Sequence, residues 1–151
     1  MSVTISSFGS ARFRRPPESA QPTSRNQLFT YAAHSILNAV GPEGSSTAKT
    51  ASTVRTALEL TNYFLEDGAA TPQATPDADG GVNVEWLVNG NSLVINCLSD
   101  SEVYIWAENA DGTEIGSVET NSQWLADDRL SRLKEFLREM SSQVTNRIQV
   151  V

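Results

Sequence analysis

Val82-Asn83-Val84-Glu85-Trp86-Leu87-Val88-Asn89-Gly90-Asn91-Ser92-Leu93-Val94-Ile95-Asn96-Cys97-Leu98 is the stretch whose pattern decides the fold. Val82, Val84, Trp86 and Val88 alternate with Asn83, Glu85 and Leu87, the period of a strand with one face buried. Asn89-Gly90-Asn91 interrupts the alternation with residues that tolerate positive φ, so it predicts a hairpin turn. On the return strand, Leu93, Ile95 and Cys97 share one face. Trp86 is then the large aromatic of the buried side, and Glu85 points away from it.

Outward toward the C-terminus the same grammar repeats. Ser99-Asp100-Ser101 is a turn, Val103 to Ala107 a third strand, Asn109-Ala110-Asp111-Gly112 another turn, and Thr113 to Val118 a fourth, weaker strand. Strands this close in sequence form an antiparallel meander. A helix of about Ser122 to Val144 follows, with Trp124, Leu125, Leu130, Leu133, Phe136, Leu137 and Met140 on one broad face. Asn146 to Val151 is apolar enough for a last strand but too short to assign. In the other direction, Ala69 to Gly81 reads as a loop of Ala, Thr, Pro, Asp and Gly. Before it lie two helical patterns, Asn26 to Val40 and about Thr47 to Leu65, separated by Gly41-Pro42-Glu43-Gly44. The short link predicts an antiparallel pair. The expected fold is α+β: a four-stranded antiparallel meander with two N-terminal helices and one C-terminal helix packed on one face. Residues 1–24, rich in Ser, Pro, Ala and Gly, are expected to be a disordered arm, with 25–151 as one domain.

The second helix and the first hairpin carry a resemblance. Ala57-Leu58-Glu59-Leu60, Phe64-Leu65, Pro72, Thr75-Pro76-Asp77-Ala78-Asp79-Gly80-Gly81-Val82-Asn83-Val84-Glu85-Trp86 and Leu93-Val94-Ile95 resemble a loose family of small bacterial and phage-borne proteins. In that family a helix precedes a P…TPDGG(V/I)xxEW hairpin. Here Asp77-Ala78-Asp79 holds an extra pair before Gly80-Gly81. The resemblance covers about forty residues and implies a hairpin but no activity. Physically, Gly80-Gly81 allows a sharp entry into the strand, and Trp86 supplies a large buried area whose indole N–H seeks an acceptor.

Charge is divided by segment. Glu66, Asp67, Asp77, Asp79, Glu85, Asp100, Glu102, Glu108, Asp111, Glu114, Glu119, Asp127 and Asp128 occupy a stretch with no Lys or Arg, and all 11 basic residues lie outside it. The net charge is −7. A one-sign segment is a statement about fields and partners. No run approaches the roughly 18 to 20 apolar residues of a membrane span, and the N-terminus lacks a signal-type apolar run. One cysteine, Cys97, allows no internal disulfide, so a reducing, cytoplasmic setting is expected.

The chemical motifs are sparse. Asp77, Asp79 and Gly80 echo the start of a calcium loop, but position twelve counted from Asp77 is Val88, where a bidentate Glu is needed. Asp111-Gly112-Thr113-Glu114 is read as a turn. Cys97 and His34 are each unique; the cysteine lies in an apolar strand and is expected to be buried and inert. No serine sits in a Gly-x-Ser-x-Gly elbow. No metal, no cofactor and no catalytic residue are expected. Three functional readings follow. The first is a non-enzymatic protein-interaction module presenting an acidic sheet: an adaptor, an antitoxin- or immunity-like protein, or a self-assembling subunit. Its partner would be another protein with a basic surface or a second copy, and its contact residues Glu85, Glu102, Glu108 and Glu114 with Arg12, Arg14 and Arg15. The second is a small hydrolase-type enzyme using paired sheet carboxylates. The third is nucleic-acid contact by the Arg-rich arm, which the acidic remainder opposes. No contact with a membrane is expected.

Overall fold

Ser24-Arg25-Asn26-Gln27 begins the structure with reciprocal capping. The Gln27 amide N–H donates to Ser24 Oγ at 3.2 Å, and Gln27 Oε1 accepts from the Ser24 amide and hydroxyl at 3.4 and 3.1 Å, so free donors at the helix start are satisfied. Ser24, which the sequence reading grouped with the expected arm, is therefore the cap of the first helix. The computed structural model describes residues 24–44, 48–78, 80–99, 102–120 and 128–150. The 1–23 part of the predicted arm lies outside them, with Arg12, Arg14 and Arg15, and so do Trp124 and Leu125.

The elements are α1 (Arg25–Gly44), α2 (Ala48–Phe64), β1 (Gln73–Pro76), β2 (Val82–Val88), β3 (Asn91–Ser99), β4 (Glu102–Glu108), β5 (Glu114–Thr120) and α3 (Asp128–Val150). The sheet is antiparallel in the order β1-β2-β3-β4-β5. The α+β class and the three helices agree with the sequence, but the sheet has five strands where four were expected. The missed strand, Gln73-Ala74-Thr75-Pro76, has no apolar alternation because it is a short edge strand. Its outward backbone is covered: the Ala74 amide donates to Ser35 Oγ of α1 at 2.9 Å, which blunts an edge that could otherwise pair. Pro76 lacks an N–H and is tolerated at such an edge.

Two helix ends also differ from the sequence reading. α1 runs through Gly41-Pro42 to Gly44; a proline in the last turn removes one terminal hydrogen bond, less costly than a break in mid-helix. α3 continues to Val150, so residues 146–150 extend a helix instead of forming a strand. Propagating an existing helix adds one bond per residue fixed, whereas a strand there would have to find a sheet edge.

Burial follows the alternation. Val82, Val84, Trp86 and Val88 on β2, Leu93, Ile95 and Cys97 on β3, Val103, Ile105 and Ala107 on β4, and Val118 on β5 are buried. They meet Leu28, Ala32 and Ile36 of α1, Val54, Ala57, Leu60 and Phe64 of α2, and Leu130, Leu133, Leu137 and Met140 of α3. Leu37, expected in the stripe of α1, and Ala51, expected in that of α2, are exposed. Trp86 is fully buried and packs on Phe64 with ring centroids 6.0 Å apart. Its Nε1 has no acceptor among the described residues. The helix pair is fastened end to end: the Arg25 amide donates to Asp67 Oδ1 at 2.7 Å, and the Arg25 guanidinium to the Asn62 carbonyl at 3.1 Å and to the Asn62 side chain. The predicted turn Asn89-Gly90-Asn91 is formed by two residues, Asn89 (φ 53°) and Gly90 (φ 86°), because Asn91 already pairs with Val88 as the first residue of β3.

Candidate functional site

All three helices lie on one side of the sheet, so the other side faces solvent. Register assigns its residues in rungs. Thr75, Asn83, Asn96, Tyr104 and Glu119 form one; Gln73, Glu85, Val94, Trp106 and Ser117 form the next; Leu87, Ser92, Glu108 and Glu114 close the hairpin end. A bulge decides the last of these. Ala107 pairs with Gly116 and Glu108 with Glu114, leaving Ile115 as the extra residue. Ile115 packs against the core, and Glu114 returns to the open face opposite Glu108.

The four glutamates singled out from the sequence, Glu85, Glu102, Glu108 and Glu114, thus all project from the open face and are exposed. Glu119 joins them. The strand pattern Glu102-Val103-Tyr104-Ile105-Trp106-Ala107-Glu108 sets Tyr104 and Trp106, both half-buried, on the same side as the two flanking glutamates. These aromatics were the residues to notice in the sequence, since period two already places them with Glu102 and Glu108. Val94 lies beside Trp106, and Leu87, 64 % exposed, extends the apolar surface at the hairpin end. The Tyr104 phenol is held above its ordinary range by partial burial and then by the Glu102 and Glu119 carboxylates; its hydroxyl donates to Glu102 Oε2 at 3.4 Å.

A depression of about 450 Å³ opens in this face, lined by Gln73, Thr75, Asp77, Asn83, Glu85, Val94, Asn96 and Trp106. Its floor is pinned by amides. Asn96 Nδ2 donates to Asn83 Oδ1 at 2.6 Å and to Asp77 Oδ2 at 2.8 Å, and Asn83 Nδ2 to Asp77 Oδ2 at 3.4 Å. Gln73 Nε2 donates to the Tyr31 hydroxyl of α1 at 3.2 Å. Asp77, read in the sequence as part of a turn, both turns the chain, with Gly80 N donating to its carbonyl at 3.0 Å, and anchors this cluster.

A second hollow, about 210 Å³, lies between the end of α2 and α3. Arg138 makes a two-pronged contact with Glu66, at 3.0 and 2.8 Å, and Lys134 stands 3.7 Å from the same carboxylate and 4.8 Å from the centroid of the Tyr63 ring. The Arg138 hydrogen bond, with the charges of Arg138 and Lys134, holds the Glu66 carboxyl below its usual range. These groups answer one another and fasten the layers.

The other candidates resolve as local structure. Cys97 is buried and its thiol is pushed up to about 12 by burial. His34 is exposed on α1. At Asp111 the side chain accepts from the Thr113 amide at 2.9 Å, closing a turn. Among the described residues no group of three His, Cys, Asp or Glu is placed to hold a metal ion, and no helix is long and apolar enough to cross a membrane. No protein-family model, curated protein or solved structure matches the chain.

Proposed function

We propose that this chain is a non-enzymatic protein-interaction module whose acidic open sheet face receives a basic segment of another protein or of a second copy. The observation that carries the reading is the half-buried Tyr104–Trp106 pair on the open face, surrounded by Glu85, Glu102, Glu108, Glu114 and Glu119. Aromatics with a carboxylate rim suit an interface with an apolar centre and a charged edge. A one-sign rim steers a basic partner and raises its on-rate at low salt. An adaptor, an antitoxin- or immunity-like protein and a self-assembling subunit all use such a face, in the cytoplasm. The likeness of the Pro72-to-Trp86 stretch to the bacterial and phage-borne hairpin family belongs to the same proposal and adds no activity.

The hydrolase reading has one point in its favour, since Asp77 and Glu85 line the same depression. Asp77 is engaged by two asparagines, and Glu102, Glu108 and Glu114 stand on an exposed surface without a cleft. Phosphate backbones are repelled by this face, which disfavours nucleic acid there.

The test replaces Glu85, Glu102, Glu108 and Glu114 together by Gln. These side chains are exposed, so the fold should keep its stability. Association with partners captured from the native host, or with itself, should slow, and its salt dependence should flatten. Association that stays equally fast and equally salt-sensitive overturns the proposal.

A further inference from the structure

We propose that the depression beside Trp106 is a receptor for an arginine side chain, and that its resident ligand is the Arg12-Phe13-Arg14-Arg15 segment of the same chain. This rests on reading the open face as a recognition surface and specifies what that surface holds.

The argument starts from which polar atoms are already used. Asn96 spends both amide hydrogens on Asn83 Oδ1 and Asp77 Oδ2. Both targets are oxygens, so the amide cannot be turned the other way without losing both bonds. Asn83 Nδ2 also points to Asp77, and Gln73 Nε2 is held by Tyr31. Asn96 thus spends both donors internally, while Asn96 Oδ1, Gln73 Oε1 and the Glu85 carboxylate of the same lining accept no hydrogen bond among the described residues. The donors left are the Thr75 hydroxyl, the Trp106 indole N–H and the second amide hydrogens of Gln73 Nε2 and Asn83 Nδ2, each of which makes one hydrogen bond. The ionisable groups of the lining, Asp77 and Glu85, are both carboxylates, which favours a cation, and a guanidinium offers five donors and no acceptor. It is planar, so it can lie on an aromatic ring while its edge meets a carboxylate. Trp106 and Glu85, in the same rung with Val94 between them, supply that ring and that carboxylate. An ammonium fills the geometry less well, because it lacks the flat fork.

The source follows from charge and reach. The region from Glu66 to Asp128 contains no base, while Arg12, Arg14 and Arg15 fall within four residues of one another and flank an aromatic, Phe13. Arg14 lies ten residues before Ser24, about 33 Å of extended chain. Tyr31, which touches the depression through Gln73, is about 10 Å along α1 from Ser24. The segment can therefore reach the depression within one molecule, and intramolecular tethering raises its effective concentration. A partner of the face would have to displace it.

The experiment uses the full chain. Indole and side-chain amide signals in ¹⁵N–¹H spectra of the parent are compared with those of an R12Q/R14Q/R15Q variant, Trp106 being assigned through Trp106→Phe. The Trp106 indole and the Asn96 and Gln73 amides should move, and the Trp86 indole should not. A peptide of residues 10–17 titrated into the variant should bring the signals back toward the parent positions. The same peptide with its three arginines changed to lysine should bind at least about threefold more weakly. The parent spectrum should not change over a tenfold range of protein concentration. Coincident spectra of parent and variant overturn the proposal, as does a lysine peptide that binds equally well. Parent signals that move toward the variant on dilution overturn the in-chain source and assign the segment to a second copy. If spectra coincide while the four-Gln variant still loses its partner, this inference falls and the interaction face stands; signals that move while partner association is untouched give the reverse.

Discussion

Gly80 and Gly81 are adjacent and look interchangeable, yet their substitution by alanine should cost very different amounts. Gly80 adopts φ +97°, and no atom lies within 4 Å of the place a Cβ would take, so Gly80→Ala meets only backbone strain, about 1–2 kcal/mol. Gly81 has no unusual φ, but a Cβ there would lie 2.0 Å from the Cys97 carbonyl oxygen and 2.9 Å from Leu98 Cα. Ordinary contact is about 3.5 Å, so β2 and β3 would have to part by about 1.5 Å. They cannot yield cheaply. Val82 pairs with Cys97 in the next rung, both are buried, and β3 is already bulged at Leu98, between Cys97 and Ser99. Loss of about two ladder hydrogen bonds at roughly 1 kcal/mol each, with the exposure of one buried apolar side chain at about 1.5–3 kcal/mol, puts Gly81→Ala at about 3–5 kcal/mol. With a urea m-value of about 1.5 kcal/mol per M, the unfolding midpoint should fall by about 2–3 M for Gly81→Ala and by about 1 M for Gly80→Ala. Urea titrations followed by tryptophan fluorescence and far-UV circular dichroism give both numbers. A Gly81→Ala protein as stable as the parent, or less affected than Gly80→Ala, refutes the close-approach argument.

Further expectations can be checked with the same material. Trp86→Ala should cost about 3–5 kcal/mol in a denaturant titration, as for a buried aromatic; Trp86→Phe should cost less than about 1.5 kcal/mol, because it keeps the contact with Phe64 while removing an N–H that has no acceptor among the described residues. Cys97 should resist iodoacetamide in the folded protein at pH 8 and react fully in urea, since burial keeps the thiol protonated; mass spectrometry reads the outcome, and rapid native alkylation would contradict the burial. Glu66 has a folded-state carboxyl held below its usual value of 4.5 by Arg138. Its contribution is present above that value and is lost as pH falls below it, through the folded-state titration. Glu66→Gln should therefore flatten the acid limb of a melting-temperature profile and leave the shape above about pH 6 unchanged.

Much of this molecule was legible without coordinates. The period-two run from Val82 to Leu98, with Asn89-Gly90 at its centre, determined a hairpin and the side of it that is buried, because a one-residue slip in register would expose Val84 and Trp86 together. The same alternation placed Glu85, Glu102 and Glu108 away from the core. Local chemistry also announced the antiparallel helix pair. What only the tertiary structure decided rests on contacts between distant residues. β1 carries no period of its own; it is a strand because β2 offers a ladder and Ser35 of α1 covers its edge, although Pro72 and Pro76 bias Thr71 and Thr75 toward extended backbone. Glu114 faces Glu108 only because the bulge at Ile115 shifts β5 by one residue. The depression at Trp106 gathers Gln73, Asp77, Asn83, Glu85 and Asn96 from three strands and a turn, and the Asn96 amide is oriented there because both its N–H groups are spent on Asp77 and Asn83. Sequence spacing can assign a side chain to a face, but hydrogen-bond capacity is shared among neighbours that only folding brings together.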